Sequence, residues 1–300
     1  MPDRKKIIIN LQGGLGNQLF CYSAGYYVAT KNHFDLECQM TSQFNSTKRD
    51  ESILLSLKLP GFFTIPRQVS TPNNAILNRI LRKIYRKFES VTNVRIKPNY
   101  FSDDVGYDKN LELINTTTHL HGYFQTWRYP TAAREVILEA LKNEIALSEY
   151  ALRLIGQMKS SKILVIHIRL GDYRLAENSF IGVLSPSYYS SVLQREDVQG
   201  YGLFVFSDDI NAAKVEYGGH FPDETNWIDE SDRLSPLETL IVMSHGSAFA
   251  IANSTYSWWS AFLSENPEVV IVPKEWFRKR KEPRDLIPID WRREVSQWVD

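Results

Sequence analysis

The sequence predicts an α/β fold in which parallel strands alternate with helices. A largely apolar run, Ile7 to Leu11, is followed by a glycine turn and then by a helical pattern, the order in which an α/β unit begins. Apolar runs of strand length recur in the second half of the chain, and polar residues cluster where these runs end. With 300 residues, the chain has room for one large domain or two of ordinary size.

The first α/β unit is defined by its periodicity. The three consecutive isoleucines, Ile7 to Ile9, indicate a buried strand that extends to Leu11. In Gln18 to Lys31, apolar residues recur at helical spacing between Leu19 and Ala29. The glycines at positions 13, 14 and 16 occupy the junction between this strand and this helix.

Four apolar runs of the second half predict further buried strands. They are Lys162 to Ile168, Leu203 to Phe206, Ala248 to Ala252 and Val269 to Val272. Between about residues 40 and 125 the pattern is weaker, apart from a basic amphipathic segment from Asn78 to Lys87.

A long helical period and a small polar pair indicate the domain boundary. Thr131 to Met158 is helical in period, and Ser160-Ser161 follows as a hinge. We therefore predict an N-terminal domain over residues 1–159, which carries the glycine-rich loop, and a C-terminal Rossmann-like domain over residues 160–300. The last helix is expected to pack back on the N-terminal domain.

Composition excludes several classes of protein. The chain has 35 basic and 35 acidic residues, so its formal net charge of zero gives no support to a nucleic-acid partner. Two cysteines, Cys21 and Cys38, are too few for a disulfide framework, and no Cys/His set has zinc spacing. No signal-peptide core or membrane span of about 20 apolar residues is visible. We expect a cytoplasmic protein without a zinc site.

The stretch GGLGNQLF, residues 13 to 20, accommodates three interpretations. Gly14, Gly16 and Asn17 could bind phosphate, because glycines admit a close ligand and the amides of a helix N-terminus favour anions. As a dinucleotide fingerprint, the stretch lacks a third glycine, although Asp35 is spaced like a ribose-binding acid. It could also be simply a tight strand-to-helix turn.

The stretch HIRLGDY, residues 167 to 173, places a cation and an acid at a predicted strand end. His167 and Arg169 lie on the same face of that strand. An arginine fork suits a pyrophosphate because it gives two charge-assisted hydrogen bonds in fixed geometry. The alternative is an ion pair between Arg169 and Asp172 that closes the turn.

The tetrapeptide FSDD occurs twice, at residues 101–104 and 206–209, and only the second copy follows a buried-strand pattern. Asp208 and Asp209 could bind a metal-nucleotide or the edge of a base. The metal interpretation requires further oxygen ligands, which the sequence does not locate. The first copy is expected to be a solvated loop.

The stretch ANSTYSWWSAFL, residues 252 to 263, places small polar residues at a helix entrance. Asn253, Ser254 and Thr255 could cap the helix or hold a phosphate. Trp258 and Trp259 are expected to belong to the core.

These four stretches, in this order and spacing, resemble the α-1,2-fucosyltransferases of glycosyltransferase family 11, of the bacterial type. The similarity runs from Ile7 to about Pro273. The resemblance implies a GT-B-like α/β fold with two Rossmann-like domains facing a cleft, in which the N-terminal domain is on the acceptor side and the C-terminal domain binds the donor. It also implies an inverting, metal-independent transfer of L-fucose from GDP-β-L-fucose to the 2-hydroxyl of a β-galactoside, with no cofactor besides the donor substrate.

The resemblance assigns roles to particular residues. The arginine that the family uses on the donor pyrophosphate falls on Arg169, but the family's usual second arginine is replaced by Leu170. Asp172 is the first candidate for the base that deprotonates the acceptor, with Glu177 and His167 as alternatives.

The remaining donor contacts are distributed over the other stretches. Developing charge on the β-phosphate would be met by Arg169 together with the amides of the Gly14 to Asn17 loop and of the Asn253 to Thr255 helix entrance. Asp208 or Asp209 is expected to accept hydrogen bonds from guanine.

Two other functions and one surface property complete the expectations. The chain could be a nicotinamide-dependent oxidoreductase that uses Gly14, Gly16 and Asp35, or a sugar-binding module without catalysis. The basic patches at Arg79 to Lys87 and Arg278 to Lys281 could contact an anionic membrane surface, or could be solvated faces.

Overall fold

The computed structural model describes residues 4–40, 53–64, 99–102, 105–228 and 234–299. The chain forms two compact units. The first unit comprises Met1–Leu55, Leu59–Ala133 and Pro283–Leu286, and the second comprises Ser56–Lys58, Arg134–Glu282 and Ile287–Asp300.

A parallel sheet forms the centre of the first unit. Its strands are β1 (Lys6–Leu11), β2 (Asp35–Met40), β3 (Phe62–Thr64), β4 (Asn99–Phe101) and β5 (Thr118–His121), in the order β3-β2-β1-β5-β4. Helix α1 (Leu15–Asn32) follows β1 directly. The side chains of Ile7 and Ile9 are fully buried, and a Cβ at Gly25 of α1 would lie 2.9 Å from Ile9 and Leu36. Gly25 thus permits the close approach of α1 to the sheet.

A second parallel sheet forms the centre of the second unit. Its strands are β6 (Ile163–Ile168), β7 (Gly202–Ser207), β8 (Asn226–Trp227), β9 (Ala248–Ala250), β10 (Val269–Pro273) and β11 (Arg292–Glu294), in the order β11-β10-β9-β6-β7-β8. All six residues of β6 are buried, as expected for a central parallel strand. The two parallel sheets confirm the predicted α/β fold with two Rossmann-like units.

The helices are amphipathic or buried according to position. After α1 the described α-helices are α2 (Arg128–Glu144), α3 (Glu149–Ser160), α4 (Pro186–Leu193), α5 (Ile210–Tyr217), α6 (Pro236–Ser244) and α7 (Thr255–Leu263). Short 3-10 helices span Ile53–Leu57, Lys109–Leu113, Gly171–Arg174, Ala176–Asn178, Glu196–Val198 and Gly218–His220.

The division between the units lies earlier than the predicted boundary at residues 159 and 160. It falls between Ala133 and Arg134, inside α2. The guanidinium group of Arg134 donates to the backbone carbonyls of Phe262, Leu263 and Ser264 at the end of α7. These contacts attach α2 from Arg134 onward to the second unit. The helical period of a sequence continues across such a boundary, and therefore does not show which unit each part of the helix packs against.

The predicted helix from Thr131 to Met158 is two helices. Ser148 ends the break between α2 and α3, and its hydroxyl accepts a hydrogen bond from the backbone N–H of Ala151. The backbone N–H of Ser148 donates to the carboxylate of Glu238, 90 residues away, at 2.8 Å. Burial raises the pKa of Glu238, but hydrogen bonds from Ser235 and Ser148 together lower it by more, so that the pKa is about 2.

The prediction that a last helix packs back on the N-terminal domain is wrong, because the segment that joins the first unit is not a helix. After α7 the described residues contain no further helix, and Arg292–Glu294 forms β11 beside β10. The short segment Pro283–Leu286 belongs to the first unit instead. This segment has non-helical backbone. The backbone carbonyls of Arg284 and Asp285 accept hydrogen bonds from the N–H groups of Tyr107 and Trp127, respectively.

Both cysteines are free and buried in the first unit. Burial raises the pKa of the Cys21 thiol to about 12 and that of Cys38 further still. No helix within the described ranges is both long and apolar enough to span a membrane.

Candidate functional site

Three neighbouring strands of the second unit end in the polar residues that the sequence singles out. Strand β6 lies between β9 and β7, and the three run parallel. Arg169 follows β6, Asp208 follows β7, and Asn253 follows β9 after two residues. Parallel strands end at the same edge of a sheet, which is where ligands of α/β proteins bind. The structure therefore brings three of the four predicted clusters together.

Arg169 is the central cation of this edge, and its side chain is 17% exposed. Its Nη2 donates to Oδ1 of Asp172 at 2.5 Å, and its Nη1 forms an ion pair with Oδ2 of Asp208 at 3.1 Å. Burial lowers the pKa of Arg169, but Asp208, Tyr173 and Asp172 together raise it by more. The turn-closing ion pair with Asp172 is thus present, and it is one of two such contacts.

Asp208 contacts three consecutive residues of the β6 turn. Besides the ion pair with Arg169, its Oδ1 accepts a hydrogen bond from the backbone N–H of Leu170 at 2.9 Å. Its Oδ2 occupies the space that a Cβ at Gly171 would need. Position 171 therefore requires glycine because the Asp208 carboxylate lies against its backbone.

Two further residues hold the turn, and the sequence interpretation gave them no role. The side-chain amide of Asn178 donates to the backbone carbonyl of Asp172 at 2.7 Å. The hydroxyl of Tyr173 donates to the carbonyl of Asn253 at 3.1 Å, and its ring centre lies 5.4 Å from the guanidinium carbon of Arg169. The signal for Tyr173 was its place in HIRLGDY, whereas no local pattern marks Asn178.

His167 lies under this edge rather than on it. Its side chain is 3% exposed, and its Nδ1 has no hydrogen-bond partner among the described residues. Burial and the charge of Arg169 lower its pKa to about 3. A neutral imidazole without access to solvent is poorly placed to receive a proton from an acceptor.

Glu177 and Leu170 differ in their exposure to solvent. Glu177 is exposed on the 3-10 turn Ala176–Asn178. Leu170 is fully buried in the core of the second unit. The position of the family's second arginine is therefore filled by an apolar side chain that faces the core.

The acid after Asp208 and the residues after β9 have structural partners. Asp209 caps α5 by accepting from the backbone N–H of Ala212 at 3.0 Å. Ser254 caps α7, whose first residue is Thr255, by accepting from the N–H of Tyr256. The cap predicted for this helix entrance is thus present at Ser254.

Asn253 and the tryptophans after it are buried. The Asn253 side chain donates to the carbonyls of Ile181 and Gly182. It therefore fixes the loop that leaves the β6 turn. Trp258 and Trp259 are fully buried, which confirms that they belong to the core.

The glycine-rich loop belongs to the first unit and has a different chemistry. Gly14 caps α1 without a side-chain hydrogen bond, and Gly16 is buried in the first turn. Gly13 adopts a φ of 77°, and a Cβ there would lie 2.6 Å from Nδ2 of Asn17. Oδ1 of Asn17 accepts from Gln125 at 2.8 Å. The loop is therefore a tight turn supported by uncharged amides.

Asp35 lies at the wrong end of its strand for the dinucleotide interpretation. It begins β2 and pairs with Lys6, whereas the glycine loop follows Leu11, which pairs with Met40. Five residues at about 3.3 Å each separate the two ends by roughly 16 Å. Asp35 instead forms an ion pair with Arg4 at 3.6 Å.

The other predicted features are partly outside the described residues. The patch Arg79 to Lys87 and the acids of the first FSDD copy lie there. Arg278 to Lys281 is exposed, with Arg280 above the rings of Phe180 and Phe277, and its membrane contact stays a prediction. Within the ranges that the structure describes, no three His, Cys, Asp or Glu side chains group to hold a metal ion.

Comparison with known proteins identifies relatives along the whole chain. The O-antigen biosynthesis glycosyltransferase WbnK of Escherichia coli is 28% identical over 294 residues, covering 89% of this chain and 93% of the relative. An alpha-1,2-colitosyltransferase of Escherichia coli is 24% identical over 295 residues, covering 95% and 97%. The crystal structure of fucosyltransferase NodZ from Bradyrhizobium matches with a TM-score of 0.48 and 12% identity, covering 87% of this chain and 94% of that one.

The family assignment rests on a match to nearly the entire chain. The model of Glycosyl transferase family 11 matches residues 6–294, a range that includes both units, the glycine-rich loop and the Arg169 turn. The oxidoreductase and the non-catalytic module are therefore set aside, and the chain belongs to glycosyltransferase family 11.

Proposed function

We propose that this glycosyltransferase transfers L-fucose from GDP-β-L-fucose to the 2-hydroxyl of a β-galactoside in an oligosaccharide or glycolipid. The transfer inverts the anomeric centre and requires no metal ion. The observation that carries the proposal is Arg169, a mostly buried guanidinium group at the carboxyl edge of a parallel sheet. Family membership supplies the reaction class.

Arg169 matches the charge that this reaction develops. The bond between the fucosyl carbon and the β-phosphate oxygen breaks with its electron pair on the leaving GDP, so negative charge grows on the β-phosphate. A fixed cation with little exposure to water stabilises such charge better than a solvated one. The fork of the guanidinium group suits two phosphate oxygens at once.

Asp172 is the proposed base for the acceptor hydroxyl. Its carboxylate is 34% exposed beside Arg169, whereas His167 is buried beneath the edge. Glu177 is exposed on the next turn and is the remaining alternative. Among the three candidates, Asp172 alone combines access to solvent with direct contact to the proposed phosphate-binding cation.

Within the second FSDD copy, we assign guanine recognition to Asp209. Asp208 already binds Arg169 and the Leu170 amide, whereas Asp209 is exposed beyond its capping contact. A carboxylate accepts from the two adjacent donors of guanine, an arrangement that adenine lacks. Asp209→Asn is therefore expected to reduce the preference for GDP over ADP, and an unchanged preference would refute this assignment.

The proposed reaction is tested with purified protein, GDP-fucose and a β-galactoside acceptor in the presence of EDTA. We expect a product whose new linkage is α and attached to the 2-hydroxyl, as determined by nuclear magnetic resonance. A different linkage would refute the regiochemistry. Complete loss of transfer in EDTA that manganese restores would refute metal independence.

Transfer of a colitosyl group is a second candidate. It is favoured by the relative named alpha-1,2-colitosyltransferase, which aligns with 95% of this chain. Measuring kcat/KM for both sugar donors with one acceptor distinguishes the candidates. A preference for the colitosyl donor would replace fucose in the proposal and leave the role of Arg169 intact.

A further inference from the structure

The two carboxylates that bind Arg169 are held in different ways. Asp208 belongs to the end of β7, and its Oδ1 also accepts the backbone N–H of Leu170. If Asp208 left Arg169, this N–H, which belongs to a residue in the core, would lose its acceptor. The Oδ2 of Asp208 is further confined against the backbone of Gly171. Asp208 is therefore anchored independently of Arg169.

Asp172 is the more exposed of the two carboxylates. It lies three residues after Arg169 on the 3-10 turn Gly171–Arg174, and its side chain is 34% exposed compared with 22% for Asp208. Asn178 holds the turn through the backbone carbonyl of Asp172. An anion that approaches from solvent therefore meets the Asp172 carboxylate before that of Asp208.

The charges of the cluster require a rearrangement when an anion binds. One guanidinium group between two carboxylates gives Arg169, Asp172 and Asp208 a net charge of −1. A diphosphate that approached the intact cluster would meet both carboxylates as well as the cation. It binds Arg169 favourably only if it takes the place of one of them.

We propose that Asp208 is the permanent partner that positions Arg169, and that a nucleoside diphosphate displaces Asp172 from Nη2 of Arg169. This inference rests on the proposed function only in taking that diphosphate to be part of the sugar donor. It explains why Arg169 is paired with two carboxylates before a ligand binds.

The displacement has a consequence for the proposed reaction. The carboxylate released from Arg169 stays beside the bound diphosphate, where it accepts the proton of the acceptor hydroxyl. The acceptor oxygen then forms the new bond to the fucosyl carbon as the bond to the β-phosphate breaks. Asp172 thus becomes a base only after the donor is bound, which predicts that the donor binds before the acceptor.

Calorimetry with Asp172→Asn tests the displacement. The variant removes the competing charge and nearly preserves shape, so we expect GDP and inorganic pyrophosphate to bind about five- to tenfold more tightly. Transfer is expected to fall at least 100-fold, within the range typical of a lost general base. Asp197→Asn is the control, because Asp197 pairs with Arg195 on the surface and its loss should change neither quantity. Unchanged or weaker binding in folded Asp172→Asn would overturn the proposal.

The role of Asp208 is tested by comparing two replacements. Asp208→Ala is expected to lower kcat at least tenfold at saturating donor, because Arg169 loses its fixed partner. Asp208→Asn keeps an oxygen for the Leu170 N–H and should recover part of this loss. A wild-type kcat in folded Asp208→Ala would show that Asp208 does not position Arg169.

A structure of the wild-type protein with GDP provides a test that needs no variant. We expect a phosphate oxygen at Nη2 of Arg169 in place of Asp172, with the bond from the Leu170 N–H to Asp208 retained. If Asp172 kept its contact, the displacement would be wrong. Failure of fucosyl transfer would instead refute the proposed function alone, because pyrophosphate binding reports the displacement with no sugar present.

Discussion

The turn after β1 and the turn after β6 begin alike and differ in charge. Each follows a buried parallel strand at the centre of its sheet and contains a glycine that a neighbouring side chain requires: Gly13 lies against Asn17, and Gly171 against Asp208. The first turn is supported by uncharged amides and the second by an arginine between two carboxylates. A glycine in close contact with a side chain thus occurs in two turns of different charge.

This difference shows where an anion can be stabilised. A helix N-terminus contributes partial charges of about half a unit, whereas a guanidinium group contributes a full charge with a fixed geometry. Ligand contacts at the β1 turn should therefore contribute neutral hydrogen bonds, and those at the β6 turn should dominate diphosphate binding and catalysis.

The largest effect is expected from removing the cation of the β6 turn. Arg169→Ala should lower kcat by roughly 100- to 1,000-fold, or about 2.7–4 kcal/mol, the loss typical of one donor to a developing oxyanion. Arg169→Lys should also be impaired, because an ammonium group lacks the planar fork. Steady-state kinetics with GDP-fucose measures both variants after circular dichroism has verified folding.

Arg195→Lys is the matched control for Arg169→Lys. Arg195 also binds two carboxylates, those of Asp197 and Glu294, and it follows helix α4 rather than one of the three strands that carry the candidate site. Its replacement should leave kcat unchanged. Near-normal turnover in folded Arg169→Ala would remove the functional contrast between the two turns.

The next effect concerns backbone strain at the β1 turn. Gly13 and Gly200 have φ angles of 77° and 80°, but a Cβ would clash with Asn17 only at Gly13, since nothing lies within 4 Å of it at Gly200. Gly200→Ala should cost about 1–2 kcal/mol of unfolding free energy through strain alone. Gly13→Ala should cost a further 1–3 kcal/mol, roughly the cost of overpacking. Equal losses in urea unfolding would show that Asn17 moves aside freely.

Strand β6 should also make stability depend on pH, through His167. Its pKa is lowered to about 3 from an ordinary value of 6.5, so between these values the unfolded chain binds the proton and the folded chain does not. Stability should therefore fall as pH falls through this window, by up to about 1.4 kcal/mol per pH unit. His167→Gln should flatten this slope. Identical slopes in the variant and in the unaltered protein would refute the prediction.

The smallest effect is expected at the neutral amides. Asn17→Ala should weaken GDP binding by less than about tenfold, since one neutral hydrogen bond contributes about 0.5–1.5 kcal/mol. Gln125→Ala, which removes the donor to Asn17 but leaves the Asn17 amide, separates a ligand contact from loop support. A loss with Asn17→Ala as large as that of Arg169→Ala in the same calorimetric titration would break the comparison.

Local pattern predicts the strands well and the ends of the elements less well. The apolar runs gave β1, β6, β7, β9 and β10 within a few residues. Helix α1 begins at Leu15, three residues before the predicted start at Gln18. Its N-cap is Gly14, which makes no side-chain hydrogen bond, so no capping residue marks the start in the sequence. The predicted long helix breaks at Ser148, whose backbone is bound by Glu238 from a distant part of the chain.

The site shows the same limit of local pattern. Arg169 and Asp172 are three residues apart in one stretch and are recognised together, whereas Asp208 reaches Leu170 across 38 residues through the register of β6 and β7. The sequence therefore suggested guanine for Asp208, and the fold reveals its contact with Arg169. Such a role depends on which strands are neighbours, and no spacing within either stretch encodes it.

The burial of both cysteines makes the natural chain a ready background for site-specific labelling. Thiol reagents attack the thiolate, and burial with a raised pKa deprives Cys21 and Cys38 of both access and ionisation. A single cysteine introduced at the exposed Glu177 would therefore be the preferred target of a maleimide dye, with the unaltered protein as the blank. Fluorescence from that position would follow the β6 turn in real time as a nucleotide enters and leaves.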